Sequence, residues 1–161
     1  MRLTTTLVST LAFAPLAATA MISVSFQDGA PKDRFTLIYS GDCVIEAMDV
    51  RIDLGTAPAG LIFDTTGTGA GVEVFQPLEW VTGTARTSDV TDGDTALTVS
   101  LDQVAPGDTF AFTIDIDDTT STRQITVDGS EMAGATLRLG GAEALFDGTG
   151  VAQIASPACR S

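Results

Sequence analysis

The sequence predicts an all-β protein: a single antiparallel β-sandwich, immunoglobulin-like, that follows a cleaved signal peptide. Three observations support this prediction. Apolar residues recur at every second position over most of the chain, short turn signals separate these runs, and the first twenty residues have the pattern of an export signal. No segment with helical periodicity alternates with the predicted strands, which argues against a parallel α/β sheet. A β-barrel built from similar strands is the alternative architecture.

The signal peptide is predicted for residues 1–20. Arg2 supplies a positive charge, the segment 7–17 is mildly apolar, and 18–20 offers the small residues that a signal peptidase requires. The apolar segment is shorter than the roughly 20 residues that span a bilayer, so we expect cleavage rather than a membrane span. An ordinary first helix is the alternative. Cleavage leaves residues 21–161 as one β-sandwich domain, secreted or periplasmic.

The predicted strands follow one another at short intervals. Clear alternation covers the runs 22–26, 35–39, 43–54, 60–63, 97–101 and 110–116. Further candidates are a run over 71–81 that is interrupted at Pro77, a short run at 125–127, and a weaker pattern through Leu137, Leu139, Phe146, Val151 and Ile154. The turn signals between runs are Asp28-Gly29, Ser40-Gly41, Asp92-Gly93, Pro106-Gly107-Asp108 and Asp128-Gly129. Strands of this length with turns at this spacing are typical of a sandwich.

The chain has two cysteines, Cys43 and Cys159. In an exported protein we expect them to form a disulfide, because the compartment is oxidising. A closed loop of this size stabilises a fold by about 4.7 kcal/mol in the chain-entropy account. A reactive thiol pair is the weaker alternative, since no Cys-x-x-Cys spacing and no basic neighbour is present.

Charge and missing residue types exclude several functions. The formal net charge is −13, which argues against nucleic acid and against an anionic membrane surface as partners. The chain has no histidine, so Ser-His-Asp catalysis, Cys-His catalysis and histidine-bearing zinc sites are excluded. We therefore expect no enzyme and no catalytic residues. The enzymatic alternative is a hydrolase that acts on extracellular polysaccharide through two carboxylates.

Acidic residues form two clusters that suit calcium, the only cofactor that the sequence suggests. The clusters are Asp115, Asp117 and Asp118, and Asp89, Asp92 and Asp94. Strand alternation places Asp115 and Asp117 on the same outer face, with Asp118 entering a turn. The second cluster lies in a turn that could wrap an ion. Neither has the spacing of an EF-hand, and a solvated acidic strand edge that discourages aggregation is the alternative.

Four stretches carry a family resemblance: GAPKDRF at 29–35, GLIFD at 60–64, GAGVEVFQP at 69–77 and FAFTIDIDD at 110–118. The sequence resembles the short exported bacterial proteins of the sponge aggregation factor core family, over nearly all of residues 21–161. The resemblance implies an extracellular, non-enzymatic module linked to calcium-dependent adhesion. Its partner would be an extracellular protein, a glycan or a second copy of the chain. A structural accessory domain without a ligand is a further alternative.

Overall fold

The computed structural model describes residues 20–68, 74–120 and 127–157. These residues form eleven strands and one short 3-10 turn, with no α-helix among them. The strands are β1 (Met21–Gln27), β2 (Asp33–Tyr39), β3 (Ile45–Asp53), β4 (Leu61–Asp64), β5 (Glu79–Thr82), β6 (Arg86–Thr87), β7 (Ala96–Val104), β8 (Thr109–Asp118), β9 (Thr136–Leu139), β10 (Ala142–Leu145) and β11 (Val151–Ala155). The 3-10 turn spans Leu54–Thr56.

Two antiparallel sheets pack against each other. The first has the strand order β11-β1-β2-β8-β4, with β5 also paired to β8, and the second has the order β10-β9-β3-β7-β6. The predicted antiparallel β-sandwich is therefore confirmed. The immunoglobulin-like arrangement in particular stays a prediction.

The core lies between the sheets and is formed by alternate residues of each strand. In β3 the side chains of Met48, Val50 and Ile52 are buried, whereas Asp49 and Arg51 face solvent. This is the division that period-two alternation predicts for a sheet with one wet face.

Aromatic rings form a ladder across four neighbouring strands of the first sheet. Phe26, Phe35, Phe112 and Trp80 are consecutive cross-strand neighbours on β1, β2, β8 and β5. Their ring centroids are 5.5, 5.3 and 5.4 Å apart in that order. Such pairs add to the hydrophobic stabilisation of a sheet, and here they fix β8 between β2 and β5.

Of the weaker strand predictions, the run 71–81 is wrong in part, and parts of the runs 71–81 and 125–127 lie outside the described residues. The predicted strand over 71–81 is wrong for residues 74–78, because β5 begins only at Glu79 and Val74 is exposed. Pro77 has no N–H to donate to a ladder, which explains the interruption. Residues 69–73 lie outside the described ranges, and so do 125 and 126 of the run 125–127. Val127 is buried but is not in a strand.

The ends of the chain leave two predictions open. Residues 1–19 of the predicted signal peptide lie outside the described ranges, and β1 begins at Met21. No helix in the described part of the chain is long and apolar enough to cross a membrane. Cys43 is half-buried and no described cysteine is free, but Cys159 lies outside the described residues, so the disulfide stays a prediction.

Candidate metal centre

The candidate site lies where two strands share one edge of β8. β4 pairs with the C-terminal half of β8, from Leu61 opposite Asp118 to Asp64 opposite Asp115. β5 pairs with the N-terminal half of β8. The described residues between these two strands, 65–68 and 74–78, are not in a strand, and we call them the 65–78 loop. The base of this loop is closed by a hydrogen bond from the Gln76 backbone N–H to the Thr65 carbonyl, at 3.3 Å.

Strand register gathers three carboxylates at this edge. Asp64 and Asp115 are paired residues, so their side chains point to the same face, and Asp117 follows on that face two residues later. When one oxygen atom is taken from each carboxylate, the three atoms all lie within 4.8 Å of one another. We call Asp64, Asp115 and Asp117 the acidic triad.

The acidic triad is buried although it lies on the outer face of the sheet. Ile114 and Ile116 point into the core, so Asp115 and Asp117 face away from it, as the sequence predicts. Their residues are nevertheless only 9% and 1% exposed, and Asp64 is 1% exposed. The alternative of a solvated acidic strand edge is therefore wrong for Asp115 and Asp117.

Gln76 of the 65–78 loop covers the triad. The residue is 8% exposed, and its side-chain Nε2 donates a hydrogen bond to Asp115 Oδ2 at 2.9 Å. No donor within the described residues reaches its buried Oε1. A buried amide oxygen without a hydrogen bond costs about 1–3 kcal/mol unless another group, such as a cation, compensates it.

Burial and the repulsion of neighbouring charges raise the pKa of two carboxyl groups in this region, those of Asp115 and Asp33. The pKa of Asp115 rises to about 7, first because of burial and then because of the negative charges of Asp117 and Asp64. Burial is also the main reason why the pKa of Asp33, at the start of β2, rises to about 7. Backbone N–H groups of Gly29 and Ile116 donate to the Asp33 carboxylate at 3.1 Å each and oppose that rise without cancelling it.

Lys32 places a positive charge near the triad. Its Nζ contacts Glu79 Oε2 at 2.7 Å and donates to the Pro77 carbonyl at 3.0 Å, so it fixes the end of the 65–78 loop to the start of β2. The charge of Lys32 lowers the pKa of Asp115, but its effect is smaller than that of burial. The ammonium group therefore offsets only part of the negative charge at the site.

The third member of the first predicted cluster does not join the triad. Asp118 is buried and pairs with Leu61, a core residue, and alternation places it on the face opposite to Asp117. The structure thus brings together two of the three residues, and it adds Asp64 in place of Asp118.

In the second predicted cluster, Asp92 is hydrogen-bonded to the start of the 65–78 loop and Asp94 to its own turn. Asp92 Oδ1 accepts hydrogen bonds from the backbone N–H groups of Thr65 and Thr66, at 2.8 Å each, and both threonine hydroxyls also donate to its carboxylate. Asp94 accepts from the N–H and hydroxyl of Thr91, at 2.8 and 2.9 Å. These bonds, led by the Thr66 hydroxyl for Asp92, lower the pKa of both aspartates.

Asp89, Asp92 and Asp94 are therefore not gathered around a common point. In the part of the chain that the structure describes, the acidic triad is the one group of three such side chains with ligand spacing. The carboxylates of Asp92 and Asp94 are engaged by the hydrogen bonds described above, whereas Asp89 lies at a neighbouring cavity.

Sequence reasoning missed Asp64 and Gln76. Asp64 ends an apolar stretch and Gln76 follows one, which is a weak signal for a site. No acidic residue stands directly beside either of them in the sequence. Their place in the site depends on the pairing of β4 with β8 and on the return path of the 65–78 loop.

Comparisons of the chain with family models, with curated proteins and with solved structures gave no match. The resemblance to the sponge aggregation factor core family accordingly stays a prediction, and the functional argument depends on the site itself.

Proposed function

We propose that this protein is an exported, non-enzymatic binding module that holds a calcium ion at the acidic triad. The observation that carries the proposal is the spacing of Asp64, Asp115 and Asp117, whose ligand oxygens lie within 4.8 Å of one another in a buried position. Calcium binds oxygens at about 2.3–2.6 Å, so two ligands on opposite sides of the ion lie roughly 5 Å apart.

The electrostatics of the triad support a cation. The pKa of Asp115 rises to about 7, first because the carboxyl group is buried and then because the negative charges of Asp117 and Asp64 repel its ionised form. A divalent ion between them would reverse this repulsion and favour the ionised forms. The amide of Gln76 could turn its carbonyl oxygen toward the ion and so satisfy its Oε1, which has no donor within the described ranges.

The donor set favours calcium over other common metals. All the candidate ligands are hard oxygens, which suit calcium and magnesium rather than the softer transition metals. Magnesium keeps several of its own waters and requires near-octahedral geometry, whereas calcium accepts a flexible set of six to eight oxygens. Bidentate carboxylates from a triad that is at most 9% exposed suit calcium better.

Calcium at this position would have a structural consequence. The triad joins β4 to β8, and Gln76 of the 65–78 loop is hydrogen-bonded to Asp115 of β8. Occupancy would therefore hold the loop against the sheet and fix the surface that the loop presents. This supports a binding or adhesion role in a calcium-rich extracytoplasmic compartment, where partners are an extracellular protein, a glycan or another copy of the chain.

The hydrolase alternative has less support from the described residues. Hydrolysis through two carboxylates requires a cleft in which a substrate reaches both of them. Asp115 and Asp117 lie under the 65–78 loop and are nearly inaccessible.

Thermal melting with calcium and with chelator tests the proposal. We expect the melting temperature to rise with calcium, since a ligand at one hundred times its Kd stabilises a fold by about 2.7 kcal/mol. Asp117→Asn should abolish the response, while Asp102→Asn, on the exposed surface of β7, should keep it. Magnesium at equal concentration is the ion control. No change in melting temperature up to millimolar calcium would refute the proposal.

A further inference from the structure

A second feature of the 65–78 loop is the cavity on its outer side. The cavity has a volume of about 290 Å³ and lies between this loop and residues 87–90, which follow β6. Phe75, Pro77 and Thr66 line it from the loop, and Thr87, Ser88 and Asp89 line it from the opposite wall. Its volume is at the lower end of the roughly 300–1,000 Å³ of small-molecule sites, so it fits a ligand of one or two rings.

The loop wall of the cavity presents an aromatic ring to solvent. Phe75 is 72% exposed, the largest exposure among the large hydrophobic side chains of the described ranges. An aromatic side chain left in water lacks the stabilisation that burial of its ring would give. Pro77 and Leu78 extend the same apolar wall. Phe75, Pro77 and Leu78 therefore give the cavity an apolar lining that a ligand can contact.

Residues 87–89 give the cavity a polar lining. Asp89 lies in the same turn as Asp92 and Asp94, whose carboxylates accept several hydrogen bonds. No described residue donates to the carboxylate of Asp89, and Thr87 and Ser88 beside it carry hydroxyl groups. This wall can therefore accept and donate hydrogen bonds to a ligand rich in hydroxyl groups.

We propose that this cavity binds a pyranose ring of a neutral extracellular glycan. A pyranose has an apolar C–H face and a rim of hydroxyl groups, which match the Phe75 wall and the Asp89 wall respectively. The net charge of −13 and the carboxylate at the cavity disfavour uronic acids and sulfated sugars. The assignment goes beyond the proposed calcium function and stands without it.

The two sites nevertheless share the 65–78 loop. Gln76 contacts Asp115, while its neighbours Phe75 and Pro77 line the cavity. Calcium at the acidic triad would therefore position the aromatic wall, and sugar affinity should rise when calcium is present.

A glycan array of neutral and acidic glycans, probed with the purified protein, tests the sugar site. We expect binding to neutral glycans, with affinity lowered about tenfold or more by Phe75→Ala, which is the loss of about 1.4 kcal/mol of ring contact. Asp89→Asn should lower it as well. Leu145→Ala, an exposed apolar residue on β10 of the other sheet, is the matched control and should bind as the wild type does.

The outcomes separate the sugar site from the calcium proposal. Absence of binding to neutral glycans, binding to acidic glycans alone, or unchanged binding by Phe75→Ala would each overturn the sugar site. Binding that requires Phe75 but is equal in calcium and in chelator supports the sugar site, and melting experiments then decide the calcium proposal independently.

Discussion

Gln76 Nε2 donates a hydrogen bond to Asp115 Oδ2 at 2.9 Å and so links the 65–78 loop to the centre of β8. The amide is buried, and its carbonyl oxygen has no donor in the described part of the chain. The same side chain thus stabilises one carboxylate of the triad and holds an unused ligand oxygen next to it. This relationship predicts how the site responds to an added charge.

Gln76→Glu should make the fold depend more strongly on calcium. In chelator the variant replaces a donor by a fourth carboxylate, so we expect its unfolding free energy to fall by about 1–3 kcal/mol. In calcium the new carboxylate becomes a ligand, and the calcium-dependent rise in melting temperature should exceed that of the wild type. Calorimetry in both conditions measures the difference.

The control is Gln153→Glu on the exposed face of β11, which makes the same chemical change away from the site. It should leave the unfolding free energy within about 0.5 kcal/mol of wild type in calcium and in chelator. If Gln76→Glu loses the same unfolding free energy in calcium as in chelator, no calcium ion binds next to Gln76 and the prediction is wrong.

Asp33 predicts the pH dependence of the metal-free protein. Its pKa is raised from 3.8 to about 7, first by burial, with the charges of Asp115 and Asp28 adding to the effect. A carboxyl group with a raised folded pKa binds its proton more tightly in the folded state. Its stabilising contribution is fully present below about pH 3.8 and is lost as pH rises through about 7. In chelator the protein should melt at a lower temperature at pH 8 than at pH 5.

Asp33→Asn should reduce this slope, since the amide does not ionise, and the remaining slope belongs to Asp115. The pKa values of Asp92 and Asp94 are lowered, so their stabilising contribution is fully present above about pH 4 and is the same at pH 5 and at pH 8. A wild type that melts higher at pH 8 than at pH 5 in chelator would contradict the prediction. Melting curves at several pH values measure it.

Alternation in the sequence predicts which residues share a face, and for β8 this prediction succeeds. Asp115 and Asp117 lie together on the outer face, opposite Ile114 and Ile116. Alternation does not predict which strand pairs with which, because every antiparallel partner satisfies period two equally well. Asp64 therefore enters the triad through a register, Asp64 opposite Asp115, that local sequence does not encode.

Burial of the triad depends on the 65–78 loop, and the sequence pattern fails there. Apolar residues at 72, 74, 78 and 80 predict a strand, yet residues 74–78 are not in one. β4 and β5 already pair with β8 along this edge, which leaves residues 74–78 without a place beside it. The acidic turn at 89–94 fails for another reason, since nearby N–H and hydroxyl groups engage Asp92 and Asp94.

Asp92→Ala distinguishes a turn residue from a calcium ligand. The variant leaves the N–H groups of Thr65 and Thr66 without their acceptor, so we expect a loss of about 0.5–2 kcal/mol, as for a removed helix cap. The loss should be equal in calcium and in chelator, because Asp92 lies outside the triad. Urea unfolding of the variant in both conditions measures it. Asp89→Ala is the control, and its unfolding free energy should stay close to that of the wild type. If calcium no longer stabilises the Asp92→Ala variant, Asp92 is a candidate calcium ligand after all.

Gly41→Ala should destabilise the protein through the side chain of Tyr39. Tyr39 is fully buried, and its hydroxyl donates to the Cys43 carbonyl at 2.9 Å, so the ring lies across the turn between β2 and β3. A Cβ at position 41 would lie 2.0 Å from the Tyr39 hydroxyl, which forces the ring or the turn to move. We expect a loss of about 1–3 kcal/mol in unfolding free energy, the usual cost of overpacking.

The matched control is Gly141→Ala, in the turn between β9 and β10, where an added Cβ meets nothing within 4 Å. This variant should stay within about 0.5 kcal/mol of wild type or gain slightly, because alanine restricts the unfolded chain more than glycine does. Chemical denaturation of both variants gives the comparison. Equal stability of the two variants would show that the Tyr39 ring does not occupy the space above Gly41.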